Sequence, residues 1–285
     1  MTVDELVRAA TRRLAGAGVP SPGVDAELLL AHALGQDVSQ VRRGRVLRES
    51  VGAQAHARFL ELVVRRAGRE PLQHLTGTAH FHGLDLNVGP GVFVPRPETE
   101  TLVDLALRHL APLREPVVVD LCTGSGAVAL AIAVARPDAR VGAVELSREA
   151  YRYARANVAA LGADVDLRLG EAQEAFADLL GRIDVVVCNP PYIPPDAVPV
   201  DVEVREHDPG LALYGGGADG LRVPAEVAGR ACELLRPGGV LLMEHADVQG
   251  EAIVELLVTA GWVDVVDHED LTGRPRVVAA TRPAR

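Results

Sequence analysis

No stretch of this sequence is apolar for long enough to cross a bilayer. The longest apolar runs, such as Val128 to Ala135, fall well short of the roughly 20 residues a spanning helix needs. A membrane-embedded enzyme is therefore excluded, and no membrane partner is expected. Cysteine is scarce as well: Cys122, Cys188 and Cys232 are odd in number, scattered and without paired spacing. That excludes a disulfide framework and a cysteine-based zinc site, and it suits a reducing compartment. The start of the chain carries Asp4 and Glu5 and has no basic leader followed by an apolar stretch and a cleavage site, so the expected location is the cytoplasm. Net positive charge is also missing. At −10 the chain has no broad electrostatic grip on phosphates, and stable nucleic-acid binding is not expected.

What is present is ordinary for a globular protein. Of 285 residues, 48% are hydrophobic and 24% charged, enough for one sizeable α/β core and a smaller second unit. Basic residues concentrate in the first quarter, at Arg8, Arg12, Arg13, Arg42, Arg43, Arg45, Arg48, Arg65, Arg66 and Arg69. Two readings stay open there, a solvated helical surface and a partner-facing patch.

Residues 1–75 carry helical spacing in three segments: Leu6, Val7, Ala10 and Leu14; then Ala26, Leu29, Leu30, Ala33 and Leu34; then Phe59, Leu60, Val63, Val64 and Ala67. Gly35 and Gly68 stop helices, and a small helical bundle is expected. Across residues 76–90 the period shortens around Gly83, with Leu84, Leu86 and Val88 on one side, which predicts a β-hairpin joining two domains. His80 and His82 lie two apart on it, but without a third ligand a surface or packing role is favoured over a metal.

From 91 to 285 strands and helices alternate after a helix start at Pro95-Arg96-Pro97-Glu98. The expected strands are Val117 to Leu121, Arg140 to Glu145, Val165 to Leu169, Ile183 to Cys188, Val240 to Glu244, Val263 to Val266 and Arg276 to Ala280. This rhythm predicts an α/β fold with a mainly parallel sheet covered on both faces, its last two strands forming an antiparallel hairpin.

The first of these strands runs into Asp120, Cys122, Thr123, Gly124, Ser125 and Gly126, then directly into an alanine-rich helix. Closely spaced glycines let the backbone approach a ligand, and the helix start presents free N–H groups. A dinucleotide enzyme would need G-x-G-x-x-G, which is absent. Glu145 ends the next strand, where a carboxylate accepts both ribose hydroxyls of an adenosine ligand. Glu171 follows the third strand; an adenine contact and a helix-start acid are both open for it.

The fourth strand delivers Asn189, Pro190, Pro191 and Tyr192. Two successive prolines stiffen this loop and leave its carbonyls free to accept. An amide or aromatic amine is a poor nucleophile because its lone pair is delocalised. Asn189 Oδ1 and the Pro190 carbonyl would hold both N–H bonds while Tyr192 stacks on the planar group, aiming the nitrogen at a methyl carbon without need of a metal.

On these residues the chain resembles the HemK/PrmC family of protein-(glutamine-N5) methyltransferases. The resemblance is carried by Pro71 to Gly77, Pro95 to Glu100, Asp120 to Gly126, Asn189 to Tyr192, Arg236 to Gly239 and Glu244-His245. It implies a Rossmann-like class I methyltransferase sheet behind a small N-terminal helical domain, with S-adenosyl-L-methionine as cofactor. It also implies class 1 peptide chain release factors as partners, gripped by residues 1–75 and modified at the glutamine of a Gly-Gly-Gln loop. Asn-Pro-Pro-Tyr alone is similar to adenine-N6 and guanine-N2 nucleic-acid methyltransferases as well, and these are the alternative.

Cys122 stands where the family's turn commonly has glycine, and is expected to fit unless the backbone there needs a positive φ. Ala172 after Glu171 departs from an acidic-aromatic pair, and Glu145 replaces a frequent aspartate. The long stretch after Tyr192, with Glu203, Glu206 and Asp208, is expected to be a substrate-side lid. Phe93 and Arg96 are candidates to close over the cofactor from the other side, and His245 is expected to be a hydrogen-bonded structural histidine.

Overall fold

The computed structural model describes residues 1–284 and divides into two compact units. The first comprises Met1–Thr78 together with Pro199–His207, and the second Ala79–Val198 with Asp208–Arg285.

In the first unit, α1 (Val3–Gly16), α2 (Pro22–Leu34), α3 (Val38–Leu47), α4 (Ala53–Ala67) and α5 (Leu72–Thr76) pack around one apolar core. The Thr2 hydroxyl accepts from Glu5 N and the Glu5 carboxylate from Thr2 N, satisfying two free donors where α1 starts. Gly35 takes the left-handed conformation that ends α2. On α4 the inward stripe is Phe59, Leu62, Val63 and Arg66, whereas Leu60 and Val64, expected inward, are exposed. The substitution of Arg66 into a core stripe has a specific cause. Its guanidinium donates to Asp25 Oδ2 and Glu203 Oε1, both at 2.7 Å, and to the Glu70 carbonyl at 3.0 Å. Arg69 Nε also donates to Glu203 Oε1, at 2.8 Å. Arg8, Arg42, Arg45 and Arg65 are paired to carboxylates too, so most of the basic first quarter is internally neutralised. Arg12, Arg13, Arg43 and Arg48 are exposed.

The second unit opens with the hairpin β1 (Thr78–Phe81) and β2 (Leu84–Asn87), where Phe81 and Leu86 are buried. A 3-10 turn over Pro97–Thr99 leads into α6 (Glu100–Leu110). Arg96 stays extended, as the residue before a proline must, so the helix begins later than the Pro95 to Glu98 expectation. Then follow β3 (Val117–Leu121), α7 (Ala127–Ala135), β4 (Arg140–Glu145), α8 (Arg148–Leu161), β5 (Val165–Leu169) and β6 (Ile183–Cys188). The long connection after β6 is not structureless. It holds α9 (Val202–His207), which belongs to the first unit, and α10 (Gly210–Leu213). The chain finishes with α11 (Arg222–Leu234), β7 (Leu235–Glu244), α12 (Gly250–Thr259), β8 (Val263–Glu269) and β9 (Pro275–Thr281).

The seven-stranded sheet has the order β5-β4-β3-β6-β7-β9-β8, parallel except for β9, which pairs antiparallel with β7 and β8. Period-two alternation divides its side chains between two cores. Val118, Val185, Val187 and Leu242 face the α6 and α7 side, whereas Val119, Val186, Leu241 and Met243 face α11 and α12. Strand order reverses between β3 and β6, which pair in register at Asp120 and Val187. A ligand crevice is expected at the C-terminal ends of these two strands. No helix among the described residues is long and apolar enough to cross a membrane.

Candidate active site

The turn after β3 is built on backbone that favours glycine. Cys122, Gly124 and Gly126 all have positive φ, at 76°, 60° and 85°. The condition on which Cys122 was expected to fit is thus not met: it holds a left-handed conformation that costs a non-glycine residue about 1–2 kcal/mol. Cys122→Gly is expected to raise stability by about 0.5–1 kcal/mol after glycine's own entropy is subtracted, and Tm by roughly 2 °C. Differential scanning calorimetry checks this, and a lower Tm would mean that the thiol's contacts outweigh the strain.

Three side chains, Asp120, Glu145 and Asn157, hold the turn. Asp120 is buried and its Oδ2 accepts from the Thr123 hydroxyl at 2.6 Å. Glu145, buried at the end of β4, accepts from Gly124 N at 2.8 Å through Oε2 and from Ser147 N at 2.7 Å through Oε1. From α8, the Asn157 amide donates to the Ser125 carbonyl at 2.9 Å and to the Asn87 carbonyl at 3.0 Å. Asn157 was not among the expected site residues, although it falls on the buried stripe of α8 with Ala150 and Ala154. Burial raises the Asp120 carboxyl to about 7 against the Thr123 hydroxyl and the Ala129 N–H, with the Glu145 charge adding to the rise. Burial also raises Glu145, opposed by the N–H groups of Ser147, Gly124 and Leu146.

This turn fits a nucleoside-type ligand. Ser125 Oγ is buried without a hydrogen-bond partner, and the space a Cβ on Gly124 would enter is open. Each Glu145 oxygen keeps a lone pair for a hydroxyl, and α7 starts at Gly126 with no side-chain cap over its free N–H groups. Glu171 follows Gly170, whose N–H donates to the Glu145 carbonyl at 2.9 Å. Glu171 itself is exposed in a turn after β5 that starts no α-helix.

Asn189 follows β6 beside this turn, and its Nδ2 donates to the Thr99 hydroxyl at 3.3 Å. The Tyr192 phenol donates to Glu244 Oε1 at 3.3 Å, at the end of β7, and burial together with the Glu244 charge pushes its pKa up. Gln249 pins the loop from α12's start: Nε2 donates to the carbonyls of Tyr192 and Asp219, each at 2.9 Å. Gly215 packs so closely on this loop that a Cβ there would come within 2.7 Å of the Pro191 carbonyl. Pro190 is buried and Pro191 half-buried in the same segment.

On the other side, Arg96 donates to buried Asp208 at 2.7 Å and lies 5.1 Å from the Phe93 ring centroid. His245 is buried between Asp267 Oδ1 at 3.0 Å and the Ala246 carbonyl at 2.9 Å, a structural arrangement. His80 and His82 sit against different carboxylates, Asp85 and Asp104.

A family model described as the PrmC N-terminal domain matches residues 5–77, and one described as the methyltransferase small domain matches 74–205. The release factor glutamine methyltransferase of Streptomyces coelicolor is 50% identical over 97% of this chain and 96% of its own length. That of Mycolicibacterium smegmatis is 49% identical over 98% and 97%, and that of Deinococcus radiodurans 45% over 99% of both. Among solved structures, a methyltransferase from Pyrococcus furiosus has a TM-score of 0.51 at 20% identity, covering 70% of this chain and 90% of that one. A T. thermophilus 16S rRNA N2 methyltransferase in complex with AdoMet and guanosine has a TM-score of 0.51 at 22% identity, covering 72% and 49%. The solved structures establish the Rossmann-like methyltransferase fold of the sheet.

Proposed function

The chain belongs to the family of release factor glutamine methyltransferases, and from that membership we infer that Asn189-Pro190-Pro191-Tyr192 presents a release factor's glutamine amide nitrogen for methylation. The enzyme is an S-adenosylmethionine-dependent protein-(glutamine-N5) methyltransferase. When bound, S-adenosylmethionine supplies an electrophilic methyl group on a sulfonium whose departure leaves a neutral thioether. Glu145 would take the ribose hydroxyls, and Asp120, Cys122, Thr123, Gly124, Ser125 and Gly126 would form the cradle, with Glu171 at its rim.

The remaining work is orientation of a weak nucleophile. Asn189 Oδ1 and the Pro190 carbonyl accept the two amide N–H bonds, and the Tyr192 ring covers the plane of the group. The nitrogen lone pair then points along the normal to that plane, toward the methyl carbon. As the new N–C bond forms, the nitrogen becomes positively charged and acidic, and its proton passes to water.

What carries this reading is that Asn189 stands at the end of β6, next to the β3 turn, where strand order reverses. The same reading makes the Gly-Gly-Gln loop of class 1 release factors the target, the helical residues 1–75 the grip on the factor, and the cytoplasm the location. It includes no stable complex with nucleic acid, consistent with the net charge of −10. Incubation with methyl-labelled cofactor and release factor, RNA or DNA, followed by peptide mapping, is expected to put the label on the glutamine. Label on nucleic acid with none on the glutamine peptide would overturn it.

A further inference from the structure

The Gln249 side chain, just before α12, is 6% exposed, and its amide is matched on every side to backbone. Oε1 accepts from Ala246 N at 3.1 Å, and Nε2 donates to the carbonyls of Tyr192 and Asp219, each at 2.9 Å. A backbone N–H can only donate and a carbonyl can only accept, so the amide has one orientation. Turned over, it would set its oxygen against two carbonyl oxygens and its N–H groups against a third N–H.

The two carbonyls belong to different segments. Tyr192 lies in the loop after β6, and Asp219 lies just before α11. Pro190 and Pro191 carry no N–H, so the middle of the loop cannot be anchored by its own backbone donors. The anchors follow it in the chain. Ile193 N donates to the Leu213 carbonyl at 2.8 Å, and the Ile193 carbonyl accepts from Gly215 N at 3.0 Å. Gly220, with φ of 79°, packs so closely that a Cβ there would collide with the Tyr192 carbonyl oxygen. Tyr192 is thereby tied at both ends, its phenol to Glu244 Oε1 and its carbonyl to Gln249.

We propose that Gln249 is a positioning residue for methyl transfer, holding the Tyr192 peptide so that the Tyr192 ring and the Pro190 carbonyl keep one geometry toward the substrate amide. The inference rests on the glutamine-amide reading of this site and adds a residue that acts on the substrate only through the loop. The prolines make the coupling stiff. Each fixes its own φ near −65°, so a rotation of the Tyr192 peptide is passed back to the Pro190 carbonyl rather than absorbed between them. The same amide keeps Asp219, and with it the segment that backs the loop, against Tyr192. A displacement of about 1 Å at the reacting atoms costs on the order of 10²-fold in rate.

Two variants and one resonance test this. Gln249→Glu keeps the side chain's volume and the Ala246 contact but removes both donated N–H groups. Gln249→Met removes every polar contact without burying a charge. Each is expected to lower kcat for methyl transfer to release factor about 10–100-fold, with KM for release factor and the dissociation constant for S-adenosylmethionine within about threefold. The resonance reads the tie without substrate. Tyr192-Ile193 is the one Tyr-Ile pair in the sequence, so 13C-carbonyl tyrosine combined with 15N isoleucine gives a single correlated signal from that peptide. This signal is expected to shift in both variants while thermal unfolding stays cooperative. In the native protein the Gln249 side-chain N–H protons, both bonded, are expected to exchange slowly with solvent. Rapid exchange of both, an unmoved signal, native kcat in Gln249→Met, or a loss carried by KM instead of kcat overturns the proposal. A native enzyme that labels another acceptor instead of the glutamine sinks the substrate reading, and the same kcat loss measured on that acceptor upholds the role of Gln249.

Discussion

Asn189→Ala is expected to lower kcat by about 10²–10³-fold while the dissociation constant for S-adenosylmethionine stays within about threefold. The size of the effect follows from what the side chain does. On the proposed reading Asn189 Oδ1 is one of two acceptors that fix the substrate nitrogen, so alanine would leave that nitrogen held at one point and free to rotate about it. An amide has little nucleophilicity to spare, so misorientation is felt directly in the transfer step. Donor affinity should change little, because the buried carboxylate and the glycine turn proposed to hold the donor lie at the ends of β3 and β4. Asn189→Asp sharpens the test. It keeps an acceptor toward substrate and loses the donor toward Thr99, so it should fall between alanine and the native enzyme. Isothermal calorimetry with the donor and single-turnover kinetics with release factor measure the two quantities apart. An alanine variant with kcat within tenfold of native would remove Asn189 from the transfer step.

Arg66→Met is expected to cost about 3–5 kcal/mol of stability, with most of the side chain's packing volume retained. The guanidinium is buried, and it serves Asp25 and Glu203, which are themselves buried. Methionine would strand Asp25 without its arginine and leave Glu203 on Arg69 alone. The penalty is that of an uncompensated buried charge rather than of a surface pair. Arg66→Lys should recover part of it, since one ammonium cannot fork between two carboxylates. Urea unfolding followed by circular dichroism gives the number, and a loss under 1 kcal/mol would reduce the cluster to surface ion pairing.

The sign of the pH dependence follows from the carboxylate. Glu203 is held below its usual range: burial pushes it up, but hydrogen bonds from the Arg69 and Arg66 guanidinium groups, with its contact to Asp201, outweigh that. Its contribution is therefore present above about pH 4.5 and lost as the solution is made acidic.

The parallel strands were legible because each is a short apolar run between turn residues. Six of the seven sheet strands lie at or within two or three residues of their expected limits. β7 is the exception, starting at Leu235 rather than Val240. Pro237-Gly238-Gly239 punctuates that strand like a turn, while its pairing with β6 merely shifts register there. Helices α3 and α5 escaped notice because they bury little: Val41 and Gly44 in one, His74 and Leu75 in the other. Asp120, Glu145 and Asn189 stand at or just beyond strand ends, positions that a local sequence window can locate. Thr99, Asn157 and Gln249 cannot be located that way, since each acts through a partner at least 30 residues away in the chain, which no local window contains. The exposed positions of Leu60 and Val64 have the same origin. A charged residue takes a core position on α4 because its counter-charge arrives from residue 203.

That distant counter-charge also sets an order of events during synthesis. Glu203 follows Arg66 by 137 residues, which a ribosome adds in about 10 s at ordinary elongation rates. Through that interval the emerging helices already hold Arg66 and Arg69 without the acid that neutralises both. The amino-terminal helices can thus collapse early but complete their native charge pairing only after the sheet's first four strands have left the ribosome. A fragment cut at Thr78 would be arrested permanently at that stage, and one that also carried the Pro199–His207 peptide would be released from it.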